Sequence, residues 1–380
     1  MATTGIQRLT EAFEEIFTNR VQAGVGEGPS VILSWPSVPI EIVRATGLRP
    51  VVVRGTSAAT PAADAHVEPG IFPSRLRHLM DAALAGRLAH TAQIIIPRTS
   101  DPDYKCFLYL REFLRVKIGA TLPSAVLFDL LQSNGPDVRE YNAARTRVLF
   151  EELAMVSGRR ASLDDLRYEI ERTNVARAAV RRLTAQRRGT PRVTGSEAFP
   201  LLGAFWCLPP EEYATLAAEA AEDIERRPPL AGPRVLLAGA PVDCPALHAG
   251  VESRGGIVVS EISPWGNESA GNDVVCEGDP INAVSDKYRA DAIGPRTPAS
   301  AMRESIACAL EQVDAVVLSL PPEDTAFGWD YPALRSAFDR KCIPYTCLYG
   351  DPYQPLSDSD AARLDDVITA AETRMETRHG

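Results

Sequence analysis

The 380 residues contain no apolar run near the roughly 20 needed to cross a bilayer. Residues 1–28 lack the apolar core of a signal peptide, so a membrane or secretory destination is not expected and the chain reads as cytoplasmic. Positive charge is in the minority: 40 Lys and Arg face 50 Asp and Glu, a net charge of −10. That balance argues against nucleic acid as a partner, because phosphates reward a basic surface, and it confines any anion site to a local patch. The five histidines form no HExxH or paired spacing, which leaves a catalytic zinc site without support. Seven dispersed cysteines, an odd number with no CxxC pair, do not make a disulfide scaffold. Reduced thiols are expected, with Cys342 and Cys347 packed on a buried strand. No complete GxSxG occurs; Gly55-Thr-Ser57-Ala-Ala59 has only the first glycine of a nucleophile elbow, so classical serine hydrolysis is not expected.

What the chain does have is 45% hydrophobic residues in alternating short β-branched and longer amphipathic runs, the pattern of parallel sheets with helical crossovers. The pattern occurs twice. Strands are expected at 30–34, 50–53, 93–97 and 125–128, and again at 234–239, 256–261, 315–320 and 344–349. Residues 137–188 have helical periodicity almost throughout, and 209–227 supply a further helix. The expected fold class is therefore α/β: two Rossmann-like parallel-sheet domains joined by a helical connector. Its division is an N-terminal helix (1–24), a first α/β domain (25–135), the connector (136–230), and a second α/β domain with a C-terminal helix (231–380). Pro228, Pro229, Gly232 and Pro233 mark the last boundary.

Open α/β sheets bind ligands outside the carboxyl ends of their strands, so the loops after Ser34, Pro97, Gly239 and Leu320 are where chemistry is expected. Gly239-Ala-Pro-Val-Asp243 could offer free N–H groups to a phosphate or carboxylate, with Asp243 capping the next helix, or could be a plain strand-to-helix turn. Gly24, Gly26 and Gly28 have phosphate-loop spacing but precede a strand, which suits a flexible entry loop better. Ten arginines between Arg159 and Arg192 could hold a coenzyme A phosphate or a partner's acidic face. They could equally be a solvated helix face paired with Asp164, Asp165, Glu169 and Glu171.

A series of phrases carries a resemblance. Ser34-Trp-Pro-Ser-Val-Pro-Ile-Glu41 is followed by Ala45-Thr-Gly-Leu-Arg-Pro50, Phe72-Pro-Ser-Arg-Leu-Arg and Ile94-Ile-Ile-Pro-Arg-Thr-Ser100-Asp101. Arg234-Val-Leu-Leu-Ala-Gly-Ala-Pro, Asp279-Pro with Lys287-Tyr-Arg, and Val313-Asp-Ala-Val-Val-Leu-Ser continue it in order. Together, over roughly residues 25 to 375, the chain resembles the 2-hydroxyacyl-CoA dehydratase and benzoyl-CoA reductase subunit family. The resemblance implies a 4Fe-4S cluster held by cysteines from three loops. Here those positions fall at or beside Trp35, at Ser100, and near Pro321 or Pro322, none of which supplies a thiolate. No cofactor is therefore expected in this chain, and Trp35 could fill the space of the cluster.

The resemblance also places Glu41 facing the substrate; near a helix N-terminus it could instead favour the helix dipole. Glu41 and Asp101 are the candidate acid and base. Ser34, Trp35, Ser37, Arg98, Thr99, Ser100 and Gly239 are the candidate substrate contacts, and no metal ligand is expected. The ligand class is an acyl-CoA or a carboxylate. The expected role is a cluster-less subunit beside a homologous partner or in a homodimer. A redox-neutral lyase or a non-catalytic binding module reusing the cleft is the alternative.

Overall fold

The computed structural model describes residues 4–15, 29–68, 70–118, 122–291, 299–321 and 325–379. Gly24, Gly26, Gly28 and Pro322 lie outside the described residues. Two four-stranded parallel sheets form the frame. The first contains β1 (Ser30–Leu33), β2 (Arg49–Val52), β3 (Thr91–Pro97) and β4 (Ala125–Phe128) in the order β2-β1-β3-β4. The second contains β5 (Arg234–Gly239), β6 (Ile257–Glu261), β7 (Ala315–Ser319) and β8 (Tyr345–Leu348) in the order β6-β5-β7-β8. The orders are equivalent, so each sheet has its topological switch point between its first and third strands. Val, Ile and Leu dominate the central strands because helices cover both faces, and Ile94, Ile95 and Ile96 are all fully buried.

Fourteen α-helices occur among the described residues. α1 (Gly5–Glu15) packs on the helical connector, and around the first sheet lie α2 (Ile40–Ala45), α3 (Pro61–Asp64), α4 (Ser74–Leu84) and α5 (Asp101–Val116). The connector consists of α6 (Pro136–Ser157), α7 (Leu163–Ala185), α8 (Gly195–Gly203) and α9 (Pro210–Glu225). The second half adds α10 (Ala246–Glu252), α11 (Pro280–Ala290), α12 (Ala299–Ala309), α13 (Thr325–Arg340) and α14 (Asp358–His379).

The stretch that reads as one helical run is broken at Gly158, whose φ of +67° ends α6 in the left-handed conformation that glycine adopts without penalty. A capping box restarts it: Ser162 accepts from Asp165 N while Asp165 accepts from Ser162 N. The largest apolar cluster joins one face of the first sheet to the connector and to Trp265, Ile281 and Val284 of the second half. Phe13 packs edge-on against both Phe199 and Trp265, with ring centroids 5.9 and 6.1 Å away. No helix among the described residues is long and apolar enough to cross a membrane.

Candidate functional site

At the first switch point the chain turns after β1 into Ser34 and Trp35, and after β3 into Arg98, Thr99 and Ser100. Ser100 is the N-cap of α5: its hydroxyl accepts from Asp103 N at 3.2 Å. The cap turns Asp103 inward rather than Asp101. Asp103 is fully buried, and its carboxylate accepts from Thr99 Oγ1 at 2.5 Å, Ser100 Oγ at 2.7 Å and Arg75 Nη2 at 2.7 Å. Arg75, from the first turn of α4, also donates to Ser34 O at 2.9 Å and lies 4.4 Å over the Trp35 ring. Trp35, Arg75, Thr99 and Asp103 therefore form one closed assembly, each less than a tenth exposed. Ser34 Oγ, fully buried beside it, has no hydrogen-bond partner among the described residues.

Glu41 sits deeper, at the start of α2, with no exposed surface. Its carboxylate pairs with Arg177 of α7 and accepts from Tyr288 Oη of α11 at 2.8 Å. Tyr288 Oη in turn accepts from Ile40 N at 3.2 Å. Burial alone would raise the Glu41 carboxyl, but the charges of Arg177 and Lys287 outweigh it and hold its pKa below the ordinary value. Lys287 is pushed down to about 8 by burial and by Arg177. Asp101 is exposed in the first turn of α5. The structure thus does not bring the two candidate carboxylates together. Of the other candidates, Ser37 is half-buried, and Arg98 pairs with Asp129 at 3.0 Å and covers the Tyr104 ring.

The second switch point has a different chemistry. Gly239 has φ +105°, and a Cβ there would stand 2.2 Å from Ser319 O, so this glycine permits close approach of β5 and β7. Asp243 does not cap α10. It reaches across to the first half, where its carboxylate accepts from Gly55 N at 2.7 Å and from Tyr353 Oη. Burial pushes the Asp243 carboxyl up against the lowering effect of Arg54, and pushes the neighbouring Cys244 thiol up to about 12. Arg54 completes the seam by donating to Asp243 O and Phe13 O, both at 2.9 Å.

The arginine series does not converge on one site. Arg177 and Arg187 are fully buried in ion pairs, Arg187 with Glu261 at 2.5 Å, whereas Arg181 and Arg182 form exposed pairs with Asp273 and Glu225. Arg75 and Asp103 were missed in the sequence, although a serine followed three residues later by a buried acid is a capping signal that points to Asp103.

Trp35, Ser100 and Pro321, which follow β1, β3 and β7, supply no thiolate for a cluster, and Arg75 lies 4.4 Å over the Trp35 ring. Cys106 is fully buried within α5, its thiol pushed above the ordinary value by burial and by the Asp103 charge. Among the described residues no group of three His, Cys, Asp or Glu is placed to hold a metal ion. No curated protein matches the sequence. The profile of the 2-hydroxyglutaryl-CoA dehydratase D-component family matches residues 37–376, from just after Trp35 almost to the end of α14. With two equivalent parallel sheets and a match over most of its length, the chain belongs to the 2-hydroxyglutaryl-CoA dehydratase D-component family.

Proposed function

We propose that this chain is a dehydratase-type subunit without a cluster of its own, which lines an acyl-thioester or carboxylate site and works beside a homologous partner subunit in the cytoplasm. The observation that carries this reading is the Trp35, Arg75 and Asp103 assembly at the first switch point. In this reading an indole and a tethered guanidinium stand at or beside the position where the family resemblance implies a thiolate. The Arg75 guanidinium, already bonded to Asp103 and Ser34 O, holds the loop after β1 in place, and the buried Ser34 Oγ is a donor left to a polar ligand. Trp35, Ser37, Arg98, Thr99, Ser100 and Asp101 form the rim in this reading, and Gly239 shapes the opposite crevice. Glu41 acts through Arg177 and Tyr288 as a positioning residue, because an ionised, paired carboxylate has no proton to give at neutral pH.

Anaerobic co-expression with a cysteine-bearing homologue tests the reading. The expected result is a stable complex that contains iron in the partner only, turns over a 2-hydroxyacyl-CoA, and loses thioester affinity on Arg75→Ala. Stoichiometric iron in the isolated chain, lost on Cys106→Ala, would overturn it. So would dehydration of a 2-hydroxyacyl-CoA by the isolated chain, or failure of the two chains to associate.

A further inference from the structure

The loop after β2 carries a second assembled set of groups, separate from the Trp35 rim. Thr56 lies in this loop and His78 on α4. Thr56 Oγ1 is 2.7 Å from His78 Nε2, and His78 Nδ1 is 2.8 Å from Ser74 O. A backbone carbonyl can only accept, so Nδ1 carries the ring proton, Nε2 is the acceptor, and the Thr56 hydroxyl donates to it. Ala58 N donates to Thr56 Oγ1 at 3.1 Å, which fixes the hydroxyl and leaves it one lone pair. Ser74 Oγ holds the loop from below, donating to Thr56 O at 2.8 Å and accepting from Thr56 N at 3.2 Å. Thr56 and His78 are half-buried, and residues 57–59 are exposed. The pair adjoins the seam between the two halves, because Gly55 is bonded to Asp243.

A hydroxyl bonded to an imidazole whose other nitrogen is fixed by an acceptor is the geometry of an activated nucleophile. We propose that Thr56 and His78 form a nucleophile and base pair for acyl transfer from thioesters or esters. Thr56 Oγ attacks the acyl carbonyl while its proton passes to His78 Nε2. The C–S or C–O bond then breaks, and the leaving thiolate or alkoxide takes the proton from Nε2. Water attacks the resulting ester, gives its proton to Nε2, and the released Thr56 oxygen recovers that proton. The sum is hydrolysis of the acyl compound to an acid and a thiol or alcohol, with no oxidant or reductant. The thioester arm rests on the acyl-thioester reading above; the ester arm does not.

The test treats the full chain with p-nitrophenyl acetate and, separately, with acetyl-CoA, and locates acetyl groups by peptide mass spectrometry. The expected result is acetylation of the peptide that contains Thr56, abolished by Thr56→Val and kept by Thr56→Ser. His78→Gln is expected to slow it by about 100-fold or more. Circular dichroism of each variant separates a merely structural role, which would lower the melting temperature and leave acetylation unchanged. Absence of acetyl from Thr56 with both reagents would overturn the pair, as would unchanged rates in folded Thr56→Val or His78→Gln. Acetylation by the ester but not by acetyl-CoA would support the pair and count against the thioester reading.

Discussion

The two sheets repeat one strand order but close their switch points by different means. In the first half the crevice is built from side chains: an indole, a guanidinium and a carboxylate with three donors. In the second half it is shut by backbone, with Gly239 against Ser319 and a cavity of about 10 Å³ between β5, β6 and β7, room for about one water. Equivalent topology therefore does not carry equivalent chemistry, and the side chains at the strand ends decide which half is suited to a ligand. The anchors to the connector differ in the same way. Glu41 keeps a hydrogen bond from Tyr288 and a nearby Lys287 in addition to Arg177. Glu261 depends on Arg187, since His248 Nε2 stands 3.8 Å away, beyond hydrogen-bond reach.

The sharpest test of that difference is removal of each arginine. Arg187→Met leaves Glu261 buried without a bonded cation and is expected to destabilise the protein by about 3–5 kcal/mol in urea unfolding. Arg177→Met is expected to be milder, because Tyr288 still donates to Glu41; an equal or larger loss would break the comparison. Acid titration addresses the same pair. Burial raises the Glu261 carboxyl, but the Arg187 charge above all outweighs it and holds the pKa at about 2. A depressed carboxylate contributes stability that is complete above the ordinary value of 4.5 and is lost as pH falls from there through about 2. The contribution is on the order of 3 kcal/mol, and Glu261→Gln should flatten the fall in stability over that window.

Gly239→Ala comes next, with an expected loss of about 1–3 kcal/mol from a strained φ and a collision with Ser319 O. A melting curve unchanged from the parent would show that the backbone closure is not tight. The smallest effect belongs to the exposed pair of Arg182 with Glu225, where Arg182→Ala should change stability by about 0.2–1 kcal/mol and less at high salt.

The eight strands were legible because a strand buried on both faces writes an uninterrupted β-branched run. β4 and β5 lie at the very residues that the pattern marks, and the others differ by one or two at their ends. The break at Gly158 was not, since amphipathic periodicity continues on both sides of a turn and only the φ of one residue separates α6 from α7. The switch-point residues Ser34, Trp35, Thr99 and Ser100 could be read from their places after strands. Their partners could not: Arg75 and Asp103 lie on helices 28 residues apart, and nothing local says that they meet.

The sequence by itself determined the α/β class, the two equivalent sheets, and the absence of thiolates at the three loops, because composition and short-range periodicity record burial directly. Only the tertiary structure decided which charges are buried and which hydroxyl meets a base. Glu41 is paired with residues 136 and 247 positions away. Thr56 finds His78 across 22 residues, on a helix that β2 and the following loop bring alongside. Such encounters depend on how strands and helices pack in space, and packing of distant segments leaves no periodic trace in the chain.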